Sequence, residues 1–232
     1  MNDVLGAAIQ DYWNGDTETK LWVHDYIGPR VEMQRSIYFR DWKAMPELEK
    51  RALRLCTGKI LDIGAGAGSH SLELQNQNKE VVAMDISPLN CAVIKARGVQ
   101  KVVQADFFNY DEAQYDTLLL MMNGVGISAD LDGFERLLQQ FQKVLKPGGR
   151  VLMDSTDLSY LFDQDTPMPL NRYYGEMDCA YSYKGIMTDV FTWLYLDFYM
   201  MNAICEKNGW KCIKIYDDGE EQFLVSLRRA SE

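Results

Sequence analysis

The 232-residue sequence predicts an α/β fold with a parallel β-sheet at its centre. Between residues 58 and 158, five short apolar segments alternate with segments of helical spacing. A glycine-rich turn follows the first apolar segment, and helix-capping residues precede or follow the helical ones. Because each strand is followed by a helix, successive strands should be joined by right-handed crossovers and run parallel.

Apolar, β-branched runs mark the five strands. We expect them at Lys59–Ile63, Glu80–Asp85, Lys101–Ala105, Tyr115–Met122 and Arg150–Asp154. The fourth run is almost continuously apolar, which is typical of a strand that is covered on both faces.

Helical spacing and capping residues define the segments between these strands. Ser69–Gln77 follows the first strand, and Pro88–Arg97 begins after Ser87, a residue that favours the N-cap position. Leu131–Leu145 carries its apolar residues on one side, and Pro147-Gly148-Gly149 should end it. The sequence therefore predicts a helix after the first, second and fourth strands.

The regions on either side of this core do not continue its alternation of strands and helices. The predicted elements of the tail are a hairpin of Tyr173–Tyr183 with Ile186–Trp193, a helix at Leu194–Asn208, and a second hairpin of Trp210–Tyr216 with Gln222–Arg228. We therefore expect a parallel core closed by an antiparallel final strand, helices on both faces, and a β-rich insertion at residues 155–193. Residues 1–57 are expected to form a helical lid segment in front of a main domain at residues 58–232.

Composition excludes several classes of protein. Hydrophobic residues make up 47% and charged residues 25% of the chain, as in ordinary globular proteins, and the longest apolar stretch is too short to cross a bilayer. The amino terminus, Met1-Asn2-Asp3, lacks the pattern of a secretion signal, which predicts a cytoplasmic protein with no membrane partner. The net charge of −10 argues against nucleic acid as a partner. Five scattered cysteines without a CxxC pair argue against disulfides and against a metal site.

The glycine-rich turn is the most informative motif. In Leu61–Gly68, the residues Gly64, Gly66 and Gly68 directly follow the first strand. Glycines let the backbone turn tightly and approach a ligand, and the helix that follows offers free N–H groups at its start. The alternative is a glycine-rich turn that serves packing alone.

An acidic residue at the end of the second strand strengthens the case for a ligand. Asp85 lies 21 residues after Gly64, where its carboxylate can accept hydrogen bonds from both hydroxyls of an adenosine ribose. The alternative is a favourable helix N-terminal charge beside Ser87 and Pro88. The glycine turn and this acid together indicate a nucleoside-binding site.

The spacing of the glycines separates two classes of nucleoside cofactor. A dinucleotide fingerprint requires Gly or Ala where this chain has Ser69, and the glycines here follow a G-x-G-x-G pattern. Over residues 58–155 the sequence resembles the class I S-adenosylmethionine-dependent methyltransferases of the small-molecule type (type 11/25-like). The matching segments are Leu61–Gly68, Val82–Ser87, Gln104–Phe107, Tyr115–Asn123 and Leu145–Arg150.

This resemblance implies a Rossmann-like fold that binds S-adenosyl-L-methionine and releases S-adenosyl-L-homocysteine. The cofactor-binding residues that it implies are Asp62, Gly64, Ala65, Gly66, Gly68, His70, Asp85, Ile86, Asp106, Phe107 and Asn123. Asp106 would take the adenine amine and Phe107 would pack on the purine, unless both belong to an ordinary loop. Asp62 would order the glycine loop or face the methionine part, and His70 would position the carboxylate or serve as a surface or capping residue.

Asn123 lies where the fourth strand should open onto the transferred methyl group. Family members that methylate nucleic-acid bases place Asn/Asp-Pro-Pro-aromatic here, whereas this chain has Asn-Gly-Val-Gly, which argues against that substrate. Asn123 would contact the cofactor or the substrate, unless it only forms a turn with Gly124.

Methyl transfer depends mainly on alignment and on exclusion of water, so no general base is assigned. Weak candidates for catalytic residues are Asn123, Tyr38 and Arg40. Tyr38, Arg40 and Trp42 are expected either to cover the cofactor or to pack against the sheet. The acceptor site is expected between this segment and the insertion, where the aromatic residues are Tyr160, Phe162, Tyr173 and Tyr174; a dimer interface and a satellite core are the alternatives.

The sequence thus predicts a methyltransferase that acts on an unidentified small molecule, as a monomer or a homodimer. Two other functions stay open. One is a nucleoside-cofactor-binding protein without catalysis, and the other is an NAD-dependent oxidoreductase, which Ser69 disfavours.

Overall fold

The computed structural model describes residues 3–230. Met1 and Asn2, which belong to the terminus that was predicted to lack a secretion signal, lie outside the described residues. The helices are α1 (Val4–Trp13), α2 (Glu47–Leu55), α3 (Ser69–Asn76), α4 (Pro88–Ala96), α5 (Leu131–Val144) and α6 (Phe198–Lys207). The strands are β1 (Leu21–Asp25), β2 (Val31–Met33), β3 (Lys59–Ile63), β4 (Glu80–Asp85), β5 (Val102–Gln104), β6 (Tyr115–Leu120), β7 (Leu145–Thr156), β8 (Glu176–Tyr183), β9 (Ile186–Met187), β10 (Phe191–Leu194), β11 (Trp210–Asp217) and β12 (Gln222–Arg229). In residues 3–230, every helix is too short or too polar to reach across a bilayer.

A seven-stranded sheet forms the centre of the molecule, with the strand order β11-β12-β7-β6-β3-β4-β5. The five strands predicted between residues 58 and 158 are all present, and neighbouring pairs among them run parallel. β12 runs antiparallel to β7 and to β11, which confirms the expected antiparallel final strand. The Rossmann-like α/β prediction is therefore confirmed.

Helices cover both faces of this sheet, because successive residues of a buried strand point to opposite sides. Leu118 and Leu120 pack into one core together with Phe134 of α5. Leu119 packs into a second core on the opposite face, together with Leu53 of α2. The continuous apolar run predicted for the fourth strand therefore serves two cores.

Several local predictions differ from the structure. Pro147-Gly148-Gly149, expected to form a turn, lies within β7, where the register against β6 shifts between Tyr115 and Thr117. The segment Ile186–Trp193 is two short strands rather than one. The last helix begins at Phe198 rather than at Leu194. Asp197 is its N-cap, and the side chain of Asp197 accepts a hydrogen bond from the Met200 amide.

The amino-terminal segment contains two strands that the helical prediction missed. β1 pairs with β2 and with β8 of the insertion, so that β10-β8-β1-β2 form a second, antiparallel sheet to which β9 adds at β8. The strands β1 and β2 are short and mostly half-exposed, so they lack the apolar alternation by which a strand is recognised. The lid segment and the insertion therefore share one structural unit, which we call the small sheet.

The order of the strands fixes where a ligand can bind. From β3 the chain runs outward to β4 and β5, and then returns to β6 on the opposite side of β3. Loops from the carboxyl ends of β3 and β6 leave in opposite directions and open a crevice, the usual ligand site of such sheets.

Candidate active site

The glycine loop after β3 adopts backbone conformations that other residues rarely reach. Gly64, Gly66 and Gly68 have φ values of +69°, +59° and +82°. A Cβ placed on Gly64 would have no other atom within 4 Å, whereas one on Gly68 would lie 3.2 Å from Ile94. Gly64 therefore offers open backbone surface, and Gly68 lets the loop pack closely on α4.

Asp85 connects this loop to the end of β4. Its Oδ2 accepts a hydrogen bond from the Gly66 amide at 2.8 Å, and its Oδ1 accepts from the Ser87 amide at 2.9 Å and from Asn90 Nδ2 at 3.3 Å. Burial raises the pKa of this carboxyl group. Because each carboxylate oxygen can accept two hydrogen bonds, Oδ2 retains one acceptor site beside the glycine loop.

Ile86 presents an apolar surface next to Asp85, since its side chain is 68% exposed. Phe107, the predicted purine contact, is instead 4% exposed, and its ring centroid lies 5.8 Å from that of Phe141 in the core. Asp106 accepts hydrogen bonds from the Phe108 amide at 3.0 Å and from a side-chain amide, and so organises its own turn. The apolar surface available beside Asp85 is therefore that of Ile86.

A buried polar network lies beneath the loop. The hydroxyl of Ser71 donates to Asp62 Oδ2 at 2.6 Å, and His70 Nε2 lies 2.9 Å from Glu49 Oε2. Arg40 forms an ion pair with the same Glu49 carboxylate. Burial lowers the pKa of His70, but the hydrogen bond to Glu49 and the charge of Asp62 outweigh it and raise that pKa.

The sequence predicted Asp62 and His70 in this region but missed Glu49, which reaches them from α2. His70 is 6% exposed, so the expected surface or capping role does not describe it. Its ring instead joins the lid segment to the first turn of α3. No local sequence signal indicates this pairing, because Glu49 belongs to an ordinary amphipathic helix.

The loop after β6 has a strained backbone. Met122 and Asn123 have φ values of +63° and +56°, a region that side chains other than glycine rarely adopt. The Asn123 amide donates to Asp154 Oδ1 at 3.0 Å, and the Thr156 hydroxyl donates to Asn123 Oδ1 at 2.8 Å. Burial raises the pKa of Asp154 to about 7. The end of β7 thus holds Asn123 at the crevice.

The lid segment is bound directly to the glycine loop. A Cβ on Gly66 would lie 3.1 Å from a ring carbon of Tyr38, so this tyrosine lies over the loop. The carbonyl of Tyr38 accepts hydrogen bonds from Ser69 Oγ at 2.6 Å and from Arg97 Nη1 at 3.3 Å. Trp42, in contrast, packs on the core beneath α2. Tyr38 therefore has the position of a lid, and Trp42 has that of a packing residue.

Comparison with known proteins identifies the family. Residues 60–149 match the family described as a methyltransferase domain. The structure superposes with a TM-score of 0.91 on a SAM-dependent methyltransferase from Bacteroides fragilis in complex with S-adenosyl-L-homocysteine. The two proteins are 41% identical over 98% of this chain and 95% of the other. The chain belongs to the S-adenosylmethionine-dependent methyltransferases.

Two further relatives are similar in sequence over part of their length. A glycine/sarcosine/dimethylglycine N-methyltransferase from Actinopolyspora halophila is 26% identical over 179 residues, which cover 70% of this chain. A cypemycin N-terminal methyltransferase from a Streptomyces species is 28% identical over 102 residues, which cover 42% of this chain. The matched parts make up 31% and 42% of these relatives.

In this methyltransferase, the aromatic residues predicted for the acceptor site form a satellite core. The ring of Tyr174 lies 4.5 Å from that of Tyr173 and 5.9 Å from that of Phe162. The hydroxyls of both tyrosines donate to Asp197, Tyr173 at 2.6 Å and Tyr174 at 3.1 Å. Tyr160 is 59% exposed. Tyr173 and Tyr174 therefore connect the insertion to the start of α6, whose N-cap residue is Asp197.

Other aromatic side chains of the insertion reach the active-site loops. A Cβ on Gly126 would lie 1.9 Å from Trp193 Nε1, so the indole of this tryptophan rests directly on the loop after β6. Burial, together with the smaller effect of neighbouring tyrosines, raises the pKa of Tyr38 and of Tyr181: Tyr195 acts on the first, and Tyr38 and Tyr195 act on the second. The acceptor site between the lid segment and the insertion stays a prediction, and these aromatic residues are further candidates to line it.

Within residues 3–230, no group of three or more His, Cys, Asp or Glu side chains is arranged to hold a metal ion. Cys56, Cys91, Cys179, Cys205 and Cys212 are all free and buried.

Proposed function

We propose that this methyltransferase binds S-adenosyl-L-methionine at the carboxyl ends of β3 and β4 and methylates an amine of a small molecule. The observation that carries the proposal is the contact between Asp85 and the Gly66 amide, which leaves an acceptor site on Oδ2 beside open glycine backbone. That arrangement suits a ribose hydroxyl, and the exposed Ile86 beside it suits a purine ring.

The residues of the crevice fit the cofactor. Asp85 would accept from the ribose, Gly64, Ala65, Gly66 and Gly68 would let the backbone approach it, and Asp106 would lie near the adenine. When bound, the cofactor supplies a methyl group on a positively charged sulfur and leaves as S-adenosyl-L-homocysteine. The buried carboxylate of Asp62 accepts a hydrogen bond from Ser71 in the first turn of α3, and Ser71 and His70 would lie under the methionine part.

The protein's own contribution is alignment and exclusion of water. Tyr38 covers the glycine loop, and Arg40 pairs with Glu49, which connects the stretch that carries Tyr38 to α2 within the lid segment. Asn123 Nδ2 has no hydrogen-bond partner among the described residues, while its Oδ1 is occupied by Thr156. We infer that this amide donor contacts the acceptor or the cofactor.

The acceptor side is formed by the lid segment, residues 1–57, and the insertion, residues 155–193, over the main domain at 58–232. These two segments share the small sheet, and Trp193 fixes it to the loop after β6. An amine acceptor is supported by the relatives from Actinopolyspora halophila and Streptomyces, whose names both specify methylation at nitrogen or at an N-terminus.

Calorimetry with S-adenosyl-L-homocysteine and with NAD tests the cofactor. We expect heat of binding with the first and none with NAD; binding of NAD alone would overturn the proposal in favour of an oxidoreductase. Transfer of a labelled methyl group from the cofactor to a set of small amines and their alcohol counterparts tests the acceptor. Binding of the cofactor without any labelled product in metabolite extracts would instead favour a binding protein without catalysis.

A further inference from the structure

The two faces of the small sheet carry different chemistry. Strand pairing places Asp25 of β1 opposite Cys179 of β8, and Cys179 opposite Phe191 of β10. Tyr181 and Trp193 lie two positions from these residues along their strands and therefore share their face. We call this the inner face, because Trp193 on it contacts the loop after β6.

Aromatic rings dominate the inner face. The ring centroids of Tyr181 and Phe191 lie 5.1 Å apart, and those of Phe191 and Trp193 lie 6.3 Å apart at 81°. Tyr195 follows β10 and packs against the same group. Tyr38 approaches from the lid segment, where its hydroxyl donates to Met33 Sδ at 3.2 Å, and Met33 is paired with Leu21 on the same face as Asp25. All five aromatic residues are only half-buried, so they retain exposed surface for a ligand.

One carboxylate faces this aromatic group. Asp25 Oδ1 accepts hydrogen bonds from the Ile27 amide at 2.9 Å and the Gly28 amide at 3.1 Å, while Oδ2 has no partner among residues 3–230. Asp25 lies opposite Cys179 in the strand register, and Cys179 packs in the same cluster as Tyr195. Burial first, and then the neighbouring charges of Cys179, Tyr160 and Asp25, raise the pKa of Tyr195 to about 12. The inner face therefore combines π-electron surfaces with an available negative charge.

The cations of the small sheet lie on the opposite, outer face or are already paired. The outer face presents Trp22, over whose ring the guanidinium of Arg30 lies at 4.3 Å. Lys20 pairs with Glu32 at 2.8 Å, and Lys184 pairs with Asp11 at 2.7 Å.

Three arginines lie nearer to the inner face. Arg97 is held at the glycine loop, where its Nη1 donates to the carbonyls of Ala67 and Tyr38 and its guanidinium lies over the ring of Phe39. The other two are paired with carboxylates. Arg40, the cation beside Tyr38, is paired with Glu49. Arg35, at the far end of this face, lies 3.8 Å from Asp16 and over the ring of Tyr183. The charge distribution on the inner face thus favours a positively charged ligand.

We propose that Tyr38, Tyr181, Tyr195 and Asp25 form a binding site for an organic ammonium group. Aromatic faces attract such cations, most strongly when the cation is removed from water, and a carboxylate beside them adds a direct charge contact. The inference rests on the proposed function, because the ligand is the acceptor in its ammonium form or the methylated ammonium product.

Calorimetry of the full chain, saturated with S-adenosyl-L-homocysteine, tests the site with two probes of equal shape. Choline carries a quaternary ammonium, and 3,3-dimethylbutan-1-ol replaces the charged nitrogen by carbon. We expect choline to bind at least tenfold more tightly than the alcohol. Equal affinities, or no binding of choline, would overturn the ammonium site.

Variants assign the binding to these residues. Tyr181→Leu and Asp25→Asn should each weaken choline binding about fivefold or more, whereas Tyr181→Phe keeps a ring and should retain most of it. The matched controls are Trp22→Leu and Asp178→Asn on the outer face, which should leave choline binding unchanged. If the inner-face and outer-face variants behave alike, the site lies elsewhere.

Binding of S-adenosyl-L-homocysteine, measured for every variant, separates the two proposals. If the unmodified chain does not bind S-adenosyl-L-homocysteine, the proposed function is contradicted. If it binds S-adenosyl-L-homocysteine but does not prefer choline to the alcohol, the ammonium site alone is contradicted.

Discussion

The amide of Gly66 donates a hydrogen bond to Asp85 Oδ2 at 2.8 Å, and this contact joins the loop after β3 to the end of β4. The glycine has a φ of +59°, so its backbone conformation and the position of the carboxylate depend on each other. Two motifs that are separated in sequence are therefore joined into one structural element at the proposed cofactor site.

Replacement of Asp85 by Ala should weaken binding of S-adenosyl-L-homocysteine by about 1–3 kcal/mol, because polar partners on the ligand and on the loop lose their acceptor. Asp85→Asn should weaken it less, since one carbonyl oxygen remains. Isothermal titration calorimetry measures both effects. Asp132→Asn, at an exposed position on the first turn of α5, serves as the control. Unchanged affinity in Asp85→Ala would remove this residue from the site.

Replacement of Gly126 by Ala should destabilise the fold by about 1–3 kcal/mol, because the new methyl group would overlap the indole of Trp193. Denaturant unfolding measures the change. Gly28→Ala is the matched control, since a Cβ there would meet no atom within 4 Å. Combining Gly126→Ala with Trp193→Ala should cost less than the sum of the two single changes. Additive effects would contradict direct contact between the loop and the small sheet.

The buried carboxyl of Asp154 should make the protein less stable as the pH rises from about 4 to about 7. Burial raises its folded-state pKa from 3.8 to about 7, so in this window the folded chain binds more protons than the unfolded chain. The raised pKa of His70 acts in the same direction, because its contribution is complete below pH 6.5 and is lost as the pH rises through the folded value. Unfolding free energies measured across pH 4–8 check the slope.

Asp154→Asn should flatten this pH dependence and keep the hydrogen bond from the Asn123 amide, since the new side chain still has an acceptor oxygen. Asp132→Asn should leave the slope unchanged. A slope that survives in Asp154→Asn would show that other groups are responsible.

Arg97 should control how long the ligand remains bound. Its Nη1 donates to the Ala67 carbonyl at 2.6 Å and to the Tyr38 carbonyl at 3.3 Å, and so connects the glycine loop to the lid segment. Arg97→Met should speed dissociation of S-adenosyl-L-homocysteine about fivefold or more, corresponding to roughly 1–2 kcal/mol for lost charge-assisted hydrogen bonds. Stopped-flow displacement measures the rate. Arg54→Met, on the exposed side of α2, should have no effect.

Local patterns were sufficient to predict the central sheet. β3 and β4 were predicted to the residue, because each is a short apolar run bounded by a capping or turn residue. The Ser87 cap was confirmed for the same reason: its side chain accepts a hydrogen bond from the Asn90 amide three residues later. Such features depend only on neighbours in sequence.

The residues that the sequence did not predict depend on distant partners. β1 was missed because its strand character arises from pairing with β8, and nothing near residues 21–25 indicates that partner. Phe107 was expected from its motif position to pack on a purine, and its ring packs on Phe141 in the core. Its contact with a purine stays a prediction. The proposed acceptor site lies on the small sheet, so it could be predicted only by region.

The small sheet joins parts of the chain that are far apart, since His24 and Ser182, whose side chains are hydrogen-bonded across it, are separated by 158 positions. Closing so large a loop carries a high entropic cost, and ladders of this kind form late and slowly during folding. The cofactor crevice depends mostly on nearer neighbours and is expected to assemble first. A newly made chain should therefore recognise adenosine before it can recognise what it modifies.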